Sequence, residues 1–307
     1  MTKIIAVKPH IYKDGINFKL KPGEAWRALG GKTTNGWYPR WLHWLMFKVD
    51  MPTLCRVGAP RLCFVEAQSV TFDTFFAGMT HEVIPFIWDC WPQHYDKMEH
   101  WLRKHKVRTA IFTSRQEMEE MQSRIKELKT IWCPEGIDAD SYKAGKPLKE
   151  RSIDYLSYGR CSKMFDVKRL DRDIKVMTSD WQKELKTQSD LADALADSKI
   201  VLCLSKFYTN PDTAQGVDTL TQRFWECLLS GVVVIGHAPQ ELVDLMGYNP
   251  MVELTATNDG EYDEQIHDIL AHIEDYQPLV DKNRELALKM APWKIRINEI
   301  VNSFQIR

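Results

Sequence analysis

The segment 218–235 carries two carboxylates at the spacing of a ligand-binding helix. Apolar spacing predicts a helix over 221–230, which Gly231 ends, and a buried strand over 232–235. The first turn of a helix has free N–H groups and a partial positive charge, which suit a diphosphate. Glu226 lies between apolar pairs, where a carboxylate without partners is costly to bury. A carboxylate on such a helix can accept hydrogen bonds from two vicinal hydroxyls of a ribose, whereas periodicity alone predicts a solvated helix residue.

A second charged group follows the strand predicted over 153–158. Gly159 and Arg160 come directly after this strand, and Lys163 and Lys168 lie further along the same loop. Ligands of doubly wound sheets bind outside the carboxyl ends of the strands. The loop over 159–168 is therefore a candidate ligand-binding loop. The alternative is that Arg160 and Lys163 belong to a solvated surface loop.

The elements that must position these residues alternate between strand and helix, which predicts mostly parallel sheets. At 307 residues, the chain suits two domains better than one core. A polar stretch over 139–151 is typical of a linker between them. Strands are predicted over 4–7, 62–66, 83–88, 108–113, 130–133, 153–158, 173–177, 199–204 and 232–235. Helices are predicted over 96–105, 114–129, 189–197, 221–230, 241–246, 262–276 and 278–304.

Charge and composition exclude several kinds of protein. Lys plus Arg number 41 and Asp plus Glu number 42, so the net charge of −1 gives no field to attract nucleic acid, which we do not expect as a partner. The seven cysteines include no C-x-x-C pair, which is typical of reduced thiols in a cytoplasmic protein rather than of a zinc site. The N-terminus has no signal-peptide pattern, and no apolar run is long enough to span a bilayer.

Two further segments have alternative interpretations. The aromatic patch over 41–47 either packs into a core or forms a peripheral contact with the inner face of the membrane. The run from Gly30 to Thr34 suggests a P-loop, but that motif requires glycine at position 26, where the chain has Trp26. The sequence therefore excludes a P-loop.

The segment 218–235 resembles the E-x7-E signature of the glycogen-synthase-like retaining glycosyltransferases, called group 1. Asp218 stands in place of the first glutamate of that signature, and Glu226 is the second. The order of residues from Thr221 to Glu226 is similar to that of the CgeB-like branch. That branch also has an arginine, here Arg223, shortly before the glutamate.

Other segments extend the resemblance. Pro134 to Asp138 resembles the turn that ends the first domain of the family. The segment 158–160, Tyr-Gly-Arg, resembles its G-R…K loop, in which arginine and lysine neutralise the diphosphate. The position of the family's lysine is Phe165 here, so the resemblance implies that Lys163 or Lys168 takes its place. The segment 283–293 resembles the start of a C-terminal helix that crosses back onto the first domain.

This resemblance implies a GT-B fold, in which two Rossmann-like doubly wound domains face each other across a cleft. We expect an acceptor-side domain over 1–138, joined by a returning helix at about 290–307, and a domain for the nucleotide-linked sugar over 139–289. In the first domain, the family often places His or Asp after the third strand, which implicates Asp89 and His94. A structural helix cap is the alternative role for Asp89.

The implied reaction is transfer of a sugar from a UDP-, GDP- or ADP-sugar to an unidentified acceptor. The resemblance implies retention of configuration, no metal ion and no cofactor. A glycine pair in the family's first domain approaches the sugar phosphate, which implicates Gly30 and Gly31. The expected catalytic residues are Asp218, Asp89, Arg160 and Lys163. The expected binding residues are Glu226, Arg223, Thr221, Gly159, Lys168, Gly30, Gly31 and His94.

Two other functions fit the same sequence. One is an inactive GT-B protein that acts in binding or as a scaffold, because Asp218 and the shifted lysine depart from the family pattern. The other is a different sugar-phosphate enzyme, such as an epimerase. Asp138 and Asp140 match the D-x-D spacing of metal-dependent transferases, but they fall in a turn next to the linker.

Overall fold

The computed structural model describes residues 5–8, 21–35, 45, 49, 62–68, 82–166, 170, 173–179 and 185–305. The chain forms two compact units. The first consists of Met1–Glu135, Thr213–Val217 and Trp293–Arg307. The second consists of Gly136–Asp212 and Asp218–Pro292. The aromatic patch lies outside the described residues except for Leu45, which is helical and exposed.

Within its described part, the first unit contains a six-stranded sheet of order β2-β1-β3-β4-β5-β6, in which every pairing is parallel. Its strands are β1 (Ile5–Lys8), β2 (Lys32–Asn35), β3 (Leu62–Gln68), β4 (Glu82–Trp88), β5 (Thr109–Phe112) and β6 (Lys129–Trp132). Its helices are α1 (Lys21–Ala28), α2 (Tyr95–Lys104), α3 (Arg115–Arg124) and α11 (Trp293–Gln305).

Both faces of the first sheet are covered, because successive side chains of a strand point to opposite faces. Phe86 and Trp88 of β4 pack with Trp293 and other apolar residues of α11. Ile87, between them, belongs to the core on the opposite face, which α2 and α3 cover through Met98 and Met121. The strand that precedes Asp89 is therefore buried on both sides.

The second unit contains, among its described residues, a five-stranded parallel sheet of order β11-β10-β9-β7-β8. Its strands are β7 (Ile153–Tyr158), β8 (Val176–Ser179), β9 (Ser198–Cys203), β10 (Val233–Gly236) and β11 (Val252–Glu253). Its helices are α4 (Gln188–Ala196), α5 (Lys206–Thr209), α6 (Pro211–Ala214), α7 (Gln222–Ser230), α8 (Gln240–Met246), α9 (Asp259–Ala271) and α10 (Gln277–Met290). Thr213 and Ala214, the last two residues of α6, belong to the first unit.

The predicted α/β class with parallel sheets is confirmed. Several predicted boundaries were wrong. The helix predicted over 278–304 is two helices, because Pro292 lacks the N–H that a continuous helix needs. The helix predicted over 114–129 ends at Arg124, and α1, β2 and β11 were not predicted.

Five cysteines within the described ranges are buried and free: Cys90, Cys133, Cys161, Cys203 and Cys227. Among the helices that the structure describes, none has the length and apolarity to cross a membrane.

Candidate functional site

Helix α7 has no side-chain cap at its N-terminus. Thr221 precedes the helix with extended backbone angles (φ −118°, ψ 167°), and its side chain makes no capping hydrogen bond. At the other end, Gly231 has the left-handed conformation (φ 63°) that glycine adopts without steric cost. The apolar side of the helix, including Phe224 and Trp225, is buried in the core. Packing and the glycine cap therefore fix this helix, and the side chain of Thr221 does not cap its first turn, the part of a helix that suits an anion.

Glu226 lies in the second turn of α7, where two tyrosines hold its carboxylate. The hydroxyl of Tyr142 donates to Oε1 at 3.1 Å, and that of Tyr158 donates to Oε2 at 3.4 Å. Burial raises the pKa of Glu226, while Arg223 and the two hydroxyls act in the opposite direction. A carboxylate has about four acceptor positions, so two hydrogen bonds leave capacity for a diol. Neither tyrosine was singled out from the sequence, although Tyr158 adjoins the predicted Gly-Arg loop.

Arg223 lies three residues before Glu226 and packs against the end of β7. Its guanidinium carbon is 4.8 Å from the ring centre of Tyr158, and its Nη1 donates to Cys161 Sγ at 3.7 Å. Gly159 has a positive φ of 64°, and a Cβ there would lie 2.2 Å from Nη2 of Arg223. Gly159 is thus required for both its backbone conformation and the close approach of the guanidinium.

The predicted basic loop forms a 3-10 turn over Gly159–Lys163, directly after β7. Arg160 and Lys163 are exposed on this turn. Phe165, at the position of the family's lysine, stacks on Tyr262 with ring centres 4.0 Å apart and planes 2° apart. Lys168 lies outside the described residues.

Asp218 lies in the loop that leads into α7, and a buried glutamate holds the same loop. Glu241 of α8 accepts hydrogen bonds from the Leu220 N–H at 2.7 Å and the Thr219 hydroxyl at 2.9 Å. Burial raises the pKa of Asp218, whereas a hydrogen bond with Ser205 and the charge of His237 lower it. Nothing in the sequence singles out Glu241 beyond its place at the start of a helix.

His237 is another residue that was not among the predicted site residues. It follows β10, and its Nδ1 shares a hydrogen bond with Glu253. Its ring lies 4.5 Å from that of Tyr208. Its position after a strand of the parallel sheet was the available signal.

The remaining candidates belong to the first unit. Asp89 follows β4 with a left-handed backbone (φ 51°), which is unusual for a residue other than glycine. Trp91 occupies the cap position of the next turn. A structural role for Asp89 stays the alternative to a role in the site. His94, partly exposed, ends this turn.

The glycine pair of the first unit lies between α1 and β2. Gly30 has a φ of 81°, and a Cβ at Gly31 would lie 2.1 Å from the ring of Trp26. The indole N–H of Trp26 donates to the Lys32 carbonyl at 2.8 Å. Gly31 therefore makes room for Trp26, while Gly30 provides the turn.

The described residues contain no cluster of three or more metal-ligating side chains. Asp138 accepts a hydrogen bond from the Ser141 hydroxyl at 3.1 Å, and Asp140 is exposed.

Comparison with known proteins gives a family match over part of the chain and a fold match over nearly all of it. Residues 160–302 match a family model described as glycosyl transferase-like. No curated protein sequence matches the chain significantly. The solved structures of the Anabaena HepE protein with UDP and glucose and of a Thermosynechococcus elongatus sucrose-phosphate synthase match at TM-scores of 0.62 and 0.61.

The HepE match has 10% identity and covers 99% of this chain and 100% of that chain. The sucrose-phosphate synthase match has 11% identity and covers 99% of this chain and 98% of the synthase chain. AviGT4, a glycosyltransferase involved in avilamycin A biosynthesis, matches at a TM-score of 0.56 and 12% identity. This match covers 99% of this chain and 97% of the AviGT4 chain. The CgeB-like branch stays a prediction. Residues 160–302 thus match the glycosyl transferase-like family model, and this match together with the shared GT-B fold supports a glycosyltransferase.

Proposed function

We propose that this glycosyltransferase moves a sugar from a UDP-, GDP- or ADP-sugar to an acceptor hydroxyl, with retention of configuration and without a metal ion. The observation that carries the donor assignment is the carboxylate of Glu226. It is partly buried, oriented by two tyrosine hydroxyls and placed in the second turn of a helix whose first turn suits phosphate. A diol on one side and a diphosphate on the other describe the ribose end of a nucleotide-linked sugar.

The chemistry requires stabilisation of a leaving group. As the bond between the anomeric carbon and the phosphate oxygen breaks, its electron pair passes to the nucleoside diphosphate. Fixed N–H groups and cations aimed at that oxygen lower the barrier. The first turn of α7 and the exposed Arg160 supply such groups in place of a metal ion. Lys163 and Lys168 stay predictions for a second cation, and Asp218, Asp89, His94 and the glycine pair stay predictions for the sugar and its phosphate.

UDP-sugars are the first donors to test, because the HepE protein was solved with UDP and with UDP-glucose. A ligand that binds the native state alone raises the melting temperature by mass action. We expect a thermal-shift panel of UDP-, GDP- and ADP-sugars to give a stabilising donor. Hydrolysis of that donor, measured with and without candidate acceptors, then separates an enzyme from a scaffold. Binding without hydrolysis or transfer would favour the scaffold, and no binding by any of the three classes would contradict the proposal.

The place of action is a further part of the proposal. The five buried free thiols fit a reducing compartment, and we propose that the enzyme acts in the cytoplasm. A peripheral membrane contact through residues 41–47 stays a prediction.

Replacing Arg160 with alanine tests the diphosphate role. We expect turnover to fall roughly 100-fold, the loss typical of removing one preorganised charge-stabilising group. The melting temperature should change little, because Arg160 is exposed. Arg108→Ala, which removes an exposed arginine of the first unit, is the control. Wild-type turnover in Arg160→Ala would show that the loop is merely solvated.

Removal of divalent metal tests the metal-free mechanism. We expect turnover to persist in excess EDTA, because arginine and helix N–H groups supply the positive charge. Loss of activity that Mg²⁺ or Mn²⁺ restores would contradict this mechanism and would direct attention to Asp138 and Asp140.

A further inference from the structure

We propose that Arg223 is the second cation of the diphosphate subsite and takes the place of the lysine that the family carries at position 165. This inference rests on the proposed function, because it assigns a residue to the phosphates of the same donor. It differs from the expectation that a lysine of the 159–168 loop fills this role.

The first observation is that the guanidinium of Arg223 forms no close ion pair with any residue that the structure describes, although the charge of Glu226 acts on it from a greater distance. Among the described residues, the hydrogen-bond partner of the Arg223 guanidinium is a thiol sulfur at 3.7 Å, and no carboxylate lies within 4.0 Å of it. Sulfur is a weak acceptor, while a guanidinium has five N–H donors. Taking such a charge out of water is costly unless an anion or good acceptors replace the water. An anionic ligand would meet this need.

The second observation is where the guanidinium lies. It packs against Gly159, where a Cβ would come within 2.2 Å of Nη2, and over the ring of Tyr158. It is therefore at the carboxyl end of β7, where ligands of parallel sheets bind. Arg223 is also the second residue of α7, whose cap residue Thr221 leaves the first turn open. Arg223 thus belongs to the first turn of α7, and its guanidinium lies at the end of β7.

The third observation is that position 165, where the family has a lysine, carries no charge in this chain. Phe165 stacks face to face on Tyr262, which is buried in the core of the second unit. This position serves packing. Arg223, on helix α7, would supply the charge that the family's lysine supplies from the loop after β7.

A planar guanidinium suits this task because it can bind two phosphate oxygens at once. When the glycosidic bond breaks, the electron pair stays on the β-phosphate oxygen, and Arg223 would neutralise part of that charge. Its contribution should therefore depend on the β-phosphate rather than on the nucleoside.

Binding of diphosphates and monophosphates tests the inference. UDP, GDP and ADP are titrated calorimetrically against the wild type, and the best of them is compared with its monophosphate. We expect the ratio of diphosphate affinity to monophosphate affinity to fall at least about tenfold in Arg223→Gln and Arg223→Met. The affinity for monophosphate itself should change less. Arg223→Lys should keep part of the preference because it keeps the charge. Lys289→Met, which removes an exposed lysine of α10, is the control.

The outcomes separate the two proposals. If the wild type binds none of the three diphosphates, the proposed function fails and this inference fails with it. Suppose that the wild type binds a diphosphate. If the Arg223 variants keep the wild-type preference for diphosphate over monophosphate, or lose affinity for both to the same extent, the inference alone is wrong. Circular dichroism and melting temperature show which variants are folded. If Arg223→Met unfolds, the comparison of Arg223→Lys with Arg223→Gln decides the matter.

Discussion

The Glu226→Gln variant should bind nucleotide more weakly than the wild type and yet melt at a higher temperature. Losing hydrogen bonds between the ribose and a charged acceptor costs about 1.5–3 kcal/mol, or roughly 10- to 100-fold in affinity. Burial raises the pKa of Glu226, so the ionised carboxylate opposes folding at neutral pH. Removing that charge should raise the melting temperature by roughly 2–4 °C, the shift that about 1 kcal/mol produces in a domain of this size.

The pH dependence of this difference follows from linkage. A carboxyl whose pKa is raised by folding contributes stability below its unfolded pKa and loses it as the pH rises through its folded pKa. The advantage of Glu226→Gln should therefore be largest at pH 7–8 and shrink toward pH 4. Glu264→Gln, at an exposed position of α9, should change neither property. Unchanged nucleotide affinity in Glu226→Gln would remove Glu226 from the site.

Replacing Arg151 with methionine should destabilise the second unit strongly. Arg151 is 4% exposed, and it donates to the carbonyls of Lys146 and Ser198, each at 2.8 Å, and of Ser230 at 3.3 Å. Burial lowers its pKa to about 10, which still leaves it charged at neutral pH. Methionine fills a similar volume but leaves three carbonyls without their donor. We expect a loss of about 3 kcal/mol, or roughly 6–12 °C in melting temperature.

Lys149→Met provides the matched control, two residues away. Lys149 forms an exposed ion pair with Glu274 at 3.0 Å, and such pairs contribute less than about 1 kcal/mol. Urea melts of both variants measure the difference directly. Equal stability of the two variants would show that the carbonyls around Arg151 find other donors.

The parts of the fold that could be predicted are those in which local pattern and tertiary packing agree. The strand over 153–158 is apolar and strongly patterned, and it forms at the predicted residues. Helix α7 likewise ends at Gly231, because glycine adopts the left-handed cap. The short strand β11, with two residues, carries no periodic signal of its own and forms through pairing with β10. Tertiary pairing decided its structure, which no local rule reveals.

The candidate site divides in a similar way. Glu226 and the Gly-Arg loop carry motifs, so the sequence singled them out before the structure placed them. The residues that hold these motifs in place carry none. Tyr142 reaches Glu226 across 84 positions of sequence, and Glu241 reaches Leu220 across 21. Such supporting contacts depend on how distant elements pack, and a single sequence contains no spacing rule for them.

The return of α11 to the first unit has a consequence for synthesis on the ribosome. Trp293, Ile297 and Ile300 belong to the core beside Phe86 and Trp88. The first 135 residues therefore emerge without part of their own core, while every residue of the second unit precedes position 293. Domains usually fold in the order of their synthesis. Here the second unit can complete its core first, and the nascent first unit exposes two large aromatics until residues 293–305 have been translated.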